Sequence, residues 1–351
     1  MARTQAPISQ QQLDAEVDAV IERTMRMRTL VKLGLVGLLV GAMAGCTAAP
    51  ASNSSDTGSS GSAKLTDVTV GIVPFSPNAI LFHAMDSGIF KKHGLNVTTQ
   101  PAASPIEVSA AMLSGTQQFG FITTPVLINA AIAGTSLKCV SPIDGELSSD
   151  RDASALVASK KSGITSLEGF AGKKFAVVQL GSINRLGAQK LFDDAGVKKV
   201  EYVAIPFPQM PQALADGRVD GAVITSPFSG TAIAAGAKVL AHPSSDTWPN
   251  GTIYCYAATA QYLQKNAKVA AAFQAAMKES ILYTKDHEQE VLKSLVEHLK
   301  LTPEVASKQV IPSNYVPEIN DKSIGAIQDE MKKQDWIKTT VPIGELVWDG
   351  K

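Results

Sequence analysis

Three successive strand-to-helix turns in the first half of the chain put a hydroxyl directly before a proline, at Ser76-Pro77, Ser104-Pro105 and Thr124-Pro125. Each pair follows a short apolar run and precedes helix-like periodicity, as expected where a strand turns into a helix. A hydroxyl at such a turn accepts from a free first-turn amide, and a first-turn proline loses nothing because that N–H has no helical partner. Singly, each hydroxyl is a structural cap or a ligand contact, and both readings stand. Jointly, they bring several helix N-termini to one edge of one sheet, where partial positive charge and free amides suit a small anion. Nucleophilic, metal or nucleotide chemistry lacks its usual signatures. There is no Gly-x-Ser-x-Gly elbow, His-Glu-x-x-His helix, phosphate loop or dinucleotide glycine fingerprint. His83, His93, His242, His287 and His298 follow no metal-ligand spacing. No cofactor and no catalytic residue are expected.

The elements that would hold these turns are legible. Val68–Val73 is a short β-branched run suited to a strand buried on both faces. Pro74 to Pro77 breaks it, Ser76 caps the next helix, and Asn78 to about Asp86 carries an apolar stripe of Ile80, Leu81, Ala84 and Met85. After a short basic turn, Leu95–Thr98 begins a second strand, completing a βαβ unit. Ser104 to Glu107 reads as a capping box on a helix to Leu113. Strand Phe119–Ile122, helix Val126–Ala133 and strand Leu137–Val140 follow. Beyond a polar crossover at Asp144–Asp152 the rhythm restarts. Its strands are Ala153–Ser159, Lys174–Val178, Val200–Ile205, Val219–Ile224 and Lys238–Ala241, and its helices are Ile183–Ala195, Met210–Ala215 and a third ending at Ala235. From Ile253–Ala258, a last strand, the chain is helical, with breaks near His287, Pro303 and Pro317.

The N-terminus states an address. Leu33–Gly45 is apolar, too short to span a bilayer, and preceded by Arg26, Arg28 and Lys32, which fits a signal-peptide core. Ala44-Gly45 before Cys46 resembles a bacterial lipobox, which implies cleavage there and lipid on the sulfur; a plain signal peptide is the alternative. Residues 46–63 are small and polar, a disordered tether. Without residues 1–45 the chain has 27 basic and 28 acidic residues, so charge gives no reason to expect nucleic acid as a partner. Met25 or Met27 is an alternative start.

In order, GIVPFSPNAILFHAMDSGIFKKHGLNV, LSGTQQFGFITTP, LVASKKSGITSLEGFAGKKFAVVQLGS, LADGRVDGAVITSPF and YAATAQYLQKN resemble one family over residues 65 to 345. It is the periplasmic solute-binding proteins of ABC importers for nitrate, aliphatic sulfonates, taurine and pyrimidine precursors of thiamine. The resemblance implies an α/β, two-lobed periplasmic-binding-protein fold (type II-like) with two crossovers and a helical C-terminal segment. Lobe one would be 64–145 plus 252–351, and lobe two 150–246. The chain departs at Gly181-Ser182-Ile183-Asn184, where many relatives have Gly-Ser-Thr-Ser, and at Thr225-Ser226-Pro227, where they often have Trp-Glu-Pro. The cysteine-rich run of the fungal pyrimidine-precursor synthases is absent.

By this resemblance the protein is no enzyme but a monomeric, lipid-anchored, extracytoplasmic binder that delivers its solute to permease and ATPase subunits. Expected first-lobe contacts are Phe75, Ser76, Ser104, Thr123 and Thr124, with Asp144 at the crossover. Expected second-lobe contacts are Ser182, Asn184, Phe207 and Ser226. Arg185 reaches an anionic head or is a solvated surface residue. A sulfonate, taurine or nitrate is the expected solute. A pyrimidine or aromatic acid between Phe75 and Phe207, or an enzyme on the same fold, is the alternative. Under this topology Cys139 and Cys255 lie on neighbouring strands and are disulfide-bonded or free.

Overall fold

The computed structural model describes residues 64–143, 152–311 and 315–350. Among these residues ten strands form two five-stranded sheets. The first contains β1 (Thr66–Ile72), β2 (Leu95–Pro101), β3 (Phe119–Thr123), β4 (Leu137–Pro142) and β10 (Tyr254–Thr259), in the order β2-β1-β3-β10-β4. The second contains β5 (Ser154–Ala158), β6 (Lys174–Val177), β7 (Glu201–Ala204), β8 (Gly221–Thr225) and β9 (Lys238–Ala241), in the order β7-β6-β8-β5-β9. The chain thus passes from the first sheet to the second after β4 and returns after β9. In each sheet one strand runs against its neighbours: β10 between β3 and β4, and β5 between β8 and β9. This is the mixed α/β, two-sheet architecture expected.

Helices α1 (Ala79–Asp86), α2 (Ile89–Lys92), α3 (Pro105–Leu113) and α4 (Thr124–Ile132) follow the first strands. Helices α5 (Ile183–Asp194), α6 (Met210–Asp216), α7 (Phe228–Ala234) and α8 (Pro243–Thr247) accompany the second sheet. Beyond β10 come α9 (Ala260–Lys265), α10 (Ala267–Leu292), α11 (Ser294–His298), α12 (Pro303–Ser307), α13 (Asp321–Lys333) and α14 (Ile343–Leu346). The break read at His287 is a kink, φ −133° and ψ 28°, inside α10 rather than a gap between helices. The first sheet and the C-terminal helices share one apolar core, which also takes in Ile183 and Leu186 of α5. The second sheet has a separate apolar cluster on each face.

Two local expectations are corrected. Ser76 caps no helix: a 3-10 turn, Ser76–Asn78, precedes α1, and the Ser76 hydroxyl donates to the Val310 carbonyl at 3.2 Å. Asn78 organises this turn instead. Its buried amide donates to the carbonyls of Val73 (2.7 Å) and Phe75 (3.1 Å) and accepts from the Tyr256 hydroxyl (2.9 Å). The basic turn after Asp86 contains the short helix α2. Cys139 and Cys255 are buried and not joined by a disulfide; Cys139 sits opposite Ala257 and Cys255 opposite Pro142 in the ladder, so the two are out of register.

Candidate functional site

The carboxyl ends of β1, β3, β6 and β8 face one another, and a cavity lies between them. From the first-sheet side it is lined by Val73, Phe75, Pro105, Phe121, Thr123, Val126 and Tyr254. Val178, Gln179, Ser182, Asn184, Phe207 and Thr225 line it from the second. Its volume is about 20 Å³, room for little more than one water. Any larger solute requires the two rims to part.

Chemically, the wall is apolar with a few polar groups held in reserve. Thr123 ends β3 at φ −97° and ψ 152°, the position from which a side chain caps α4, yet it makes no such bond. Its Oγ1 is buried without a hydrogen-bond partner, and the residue is 4% exposed. Among the described residues, the side chains of Gln179, Asn184 and Thr225 also find no protein partner. A buried hydroxyl left unmatched is costly, so such a group calls for a partner, water or solute, that the protein itself does not supply. Ser182 differs. Its hydroxyl donates to the Gln179 carbonyl (2.7 Å) and accepts from the Arg185 amide (3.3 Å), capping α5 and aiming that helix's N-terminus at the cavity.

Among the described residues no Asp, Glu, Lys, Arg or His lines the cavity. Arg185 is close in sequence but turned away, donating to the Leu180 carbonyl at 2.9 Å with its guanidinium over the rings of Tyr202 (4.8 Å) and Trp336 (5.1 Å). Burial pushes the Tyr202 phenol well above its ordinary pKa, with the neighbouring Arg185 charge opposing only in part, so the ring stays neutral. Charge recognition here would rest on the N-termini of α4 and α5.

Of the residues expected at the site, Phe75, Thr123, Ser182, Asn184 and Phe207 meet at the cavity. Four described ones lie elsewhere. Ser104 caps α3, accepting from the Glu107 amide at 3.3 Å while Glu107 accepts from the Ala103 amide at 3.1 Å. Thr124 donates to the Thr252 carbonyl at 2.8 Å. Ser76 and Ser226 join the two sheets outside the cavity, the Ser76 amide donating to the Ser226 carbonyl at 3.3 Å. Asp144 and Cys46 lie outside the described residues. Phe75 and Phe207 do not stack on each other: Phe75 packs edge-on against Phe121 (4.7 Å) and Phe207 lies parallel to Phe228 (6.5 Å). Gln179, Thr225 and Tyr254 were not foreseen. The signal for the first two was a polar residue closing an apolar strand, as in Phe175-Ala176-Val177-Val178-Gln179 and Gly221-Ala222-Val223-Ile224-Thr225.

Two facing sheets with a small cavity between them make up the periplasmic-binding-protein fold, and solved structures share it. The ligand-binding component of an ABC-type import system from Staphylococcus aureus matches with TM-score 0.69 at 16% identity, over 80% of this chain and 96% of that one. The aliphatic sulphonate binding protein SsuA from Escherichia coli matches at 0.65 and 18%, over 80% and 97%. The nitrate-binding protein NrtA from Synechocystis matches at 0.67 and 13%, over 80% and 84%. At such identities the likeness is one of fold. The profile of the NMT1-like family matches residues 61–296, and the chain belongs to that family. No curated protein matches the sequence.

Proposed function

We propose that this protein is the extracytoplasmic solute-binding component of an ABC importer. Residues 64–145 with 252–351 would form one lobe and 150–246 the other, closing on a small anionic organic solute of sulfonate, taurine or nitrate type. The observation that carries this reading is the unpartnered Thr123 hydroxyl beside the N-termini of two helices, in a cavity lined by no charged side chain among the described residues. Dipoles and hydroxyls can hold a single negative charge without a counter-ion. A second reading, an aromatic acid or pyrimidine, draws on the rings of Phe75, Phe121, Phe207 and Tyr254 in the same wall.

A thermal-shift panel of alkanesulfonates, taurine, nitrate, pyrimidines and aromatic acids separates the two. A bound member at a hundred times its dissociation constant adds about 2.7 kcal/mol of stability. Stabilisation by the sulfonate group alone supports the first reading and by the aromatic group alone the second. Silence across the panel overturns both, and turnover of any member would make the protein an enzyme.

The address is part of the proposal. Lipid on Cys46 and a tether over residues 46–63 would hold a monomeric binder at the membrane, beside its permease and ATPase subunits. Among the described residues no helix is long and apolar enough to cross a membrane. Cys46→Ser is expected to move the protein from the membrane fraction to the soluble extracytoplasmic fraction. Retention in the membrane after that change would refute the anchor.

A further inference from the structure

We propose that two stretches of the C-terminal part, Gln309–Val310 and Gln334–Trp336, act as a clasp that holds the cleft shut from outside the cavity, and that Ser76 and Ser226 serve that clasp rather than the solute. This rests on the reading of the protein as a binder whose cleft opens.

Two seams carry it. At the first, three segments far apart in sequence meet. The Ser226 hydroxyl, just beyond β8, donates to Gln309 Oε1; the Ser76 amide, just beyond β1, donates to the Ser226 carbonyl at 3.3 Å; and the Ser76 hydroxyl donates to the Val310 carbonyl at 3.2 Å. Gln309 is aimed by its own amide, which donates back to the Val305 carbonyl of α12, at 2.8 Å. At the second seam, α5 is gripped from the C-terminal side. Trp336 covers one face of the Arg185 guanidinium at 5.1 Å, and the Gln334 amide reaches the Leu186 carbonyl at 3.4 Å. Gln334 is itself tied to Glu330 of α13 at 2.7 Å.

Both seams adjoin cavity walls by a single residue. Ser76 follows Phe75, Ser226 follows Thr225, and Arg185 follows Asn184, and all three preceding residues line the cavity. In an extended segment adjacent side chains point opposite ways, so Thr225 can face the solute while Ser226 faces the clasp. Displacing either rim strains the outer contacts, and releasing the outer contacts frees the rim. The clasp therefore sets the fraction of time the cleft is closed without solute. A solute that enters only the open form meets a lower apparent on-rate, and one already enclosed leaves more slowly.

The test places spin labels at Lys91→Cys and Lys198→Cys, exposed sites associated with the first and second sheets, in the full chain carrying Cys46→Ser; Cys139 and Cys255 are buried. The pulsed dipolar separation is read without added solute. One dominant separation is expected for the parent. Gln309→Ala and Trp336→Leu should each add a longer one, raising the open-to-closed ratio about fivefold, the value of one neutral hydrogen bond or exposed cation–π contact. Gln309→Glu keeps an acceptor for Ser226 but loses the donor to Val305, so it should restore the parent distribution in part, to an open-to-closed ratio between those of the parent and Gln309→Ala. Far-UV circular dichroism confirms that each variant is folded; Gln309 is half-exposed, so its variants serve even if Trp336→Leu is not. An unchanged distribution in Gln309→Ala, or a parent already at the longer separation, overturns the clasp. The solute panel reports separately: an opened variant with a silent panel keeps the clasp and rejects the solute classes, whereas a responding panel with unmoved separations does the reverse.

Discussion

Thr123→Val should make the solute-free protein more stable and the solute-binding protein worse. The two residues are nearly the same shape, so the packing around the end of β3 is preserved. The change removes one buried hydroxyl oxygen that has no hydrogen-bond partner. An unmatched buried hydroxyl costs on the order of 1–3 kcal/mol. The site is extended, φ −97° and ψ 152°, which suits a β-branched side chain. A gain of about 1 kcal/mol, or about 2–4 °C in melting temperature, is therefore expected without solute. The same change removes a donor from the cavity, and a hydrogen bond to a charged ligand is worth about 1.5–3 kcal/mol. Affinity for whichever panel member binds should fall about 10- to 100-fold. Thr123→Ser keeps the hydroxyl and should retain binding while losing some stability with the methyl group. Thermal melts with and without solute read both arms. A Thr123→Val protein that is less stable when empty, or that binds as before, would show the hydroxyl to be structural.

This site illustrates what the sequence made legible. The βαβ rhythm was readable because short apolar strands, turn residues and capping signals agree with one another; Ser104 with Glu107 behaves as its spacing says. Which of two adjacent hydroxyls faces the cavity was not readable. Thr123 and Thr124 lie one after the other, as do Thr225 and Ser226, and a shift of one residue exchanges inside for outside. Thr124 was taken away from the cavity by carbonyls at Thr252 and Ile253, 128 and 129 residues on. Ser76 was taken by Val310, 234 residues on, and Ser226 by Gln309, 83 residues on. Local pattern places a hydroxyl at a turn; only the fold decides which distant partner competes for it.

Gly221→Ala should have the largest effect on stability of any change considered. Gly221 opens β8, the strand of the second sheet held by β5 on one side and β6 on the other, opposite Ala158 and Phe175. A β-carbon there would lie 2.5 Å from two ring carbons of Phe170 and 2.5 Å from the Val157 carbonyl oxygen. Neither can yield. Phe170 is fully buried and wedged against Phe175 (5.2 Å) and Phe192 (5.4 Å), and the Val157 oxygen is backbone of the neighbouring strand. The strand itself must move, which costs about 3 kcal/mol or more. Because β8 ends at Thr225, the displacement also carries the cavity wall and Ser226 with it, so binding and clasp should fail along with stability. Gly181 supplies the control: it lies in the loop beside the cavity, with no atom within 4 Å of an added β-carbon and no left-handed backbone. Gly181→Ala should stay within about 0.5 kcal/mol of the parent in urea unfolding. If Gly221→Ala unfolds within 1 kcal/mol of the parent by the same measurement, the second sheet packs more loosely at β8 than these distances allow.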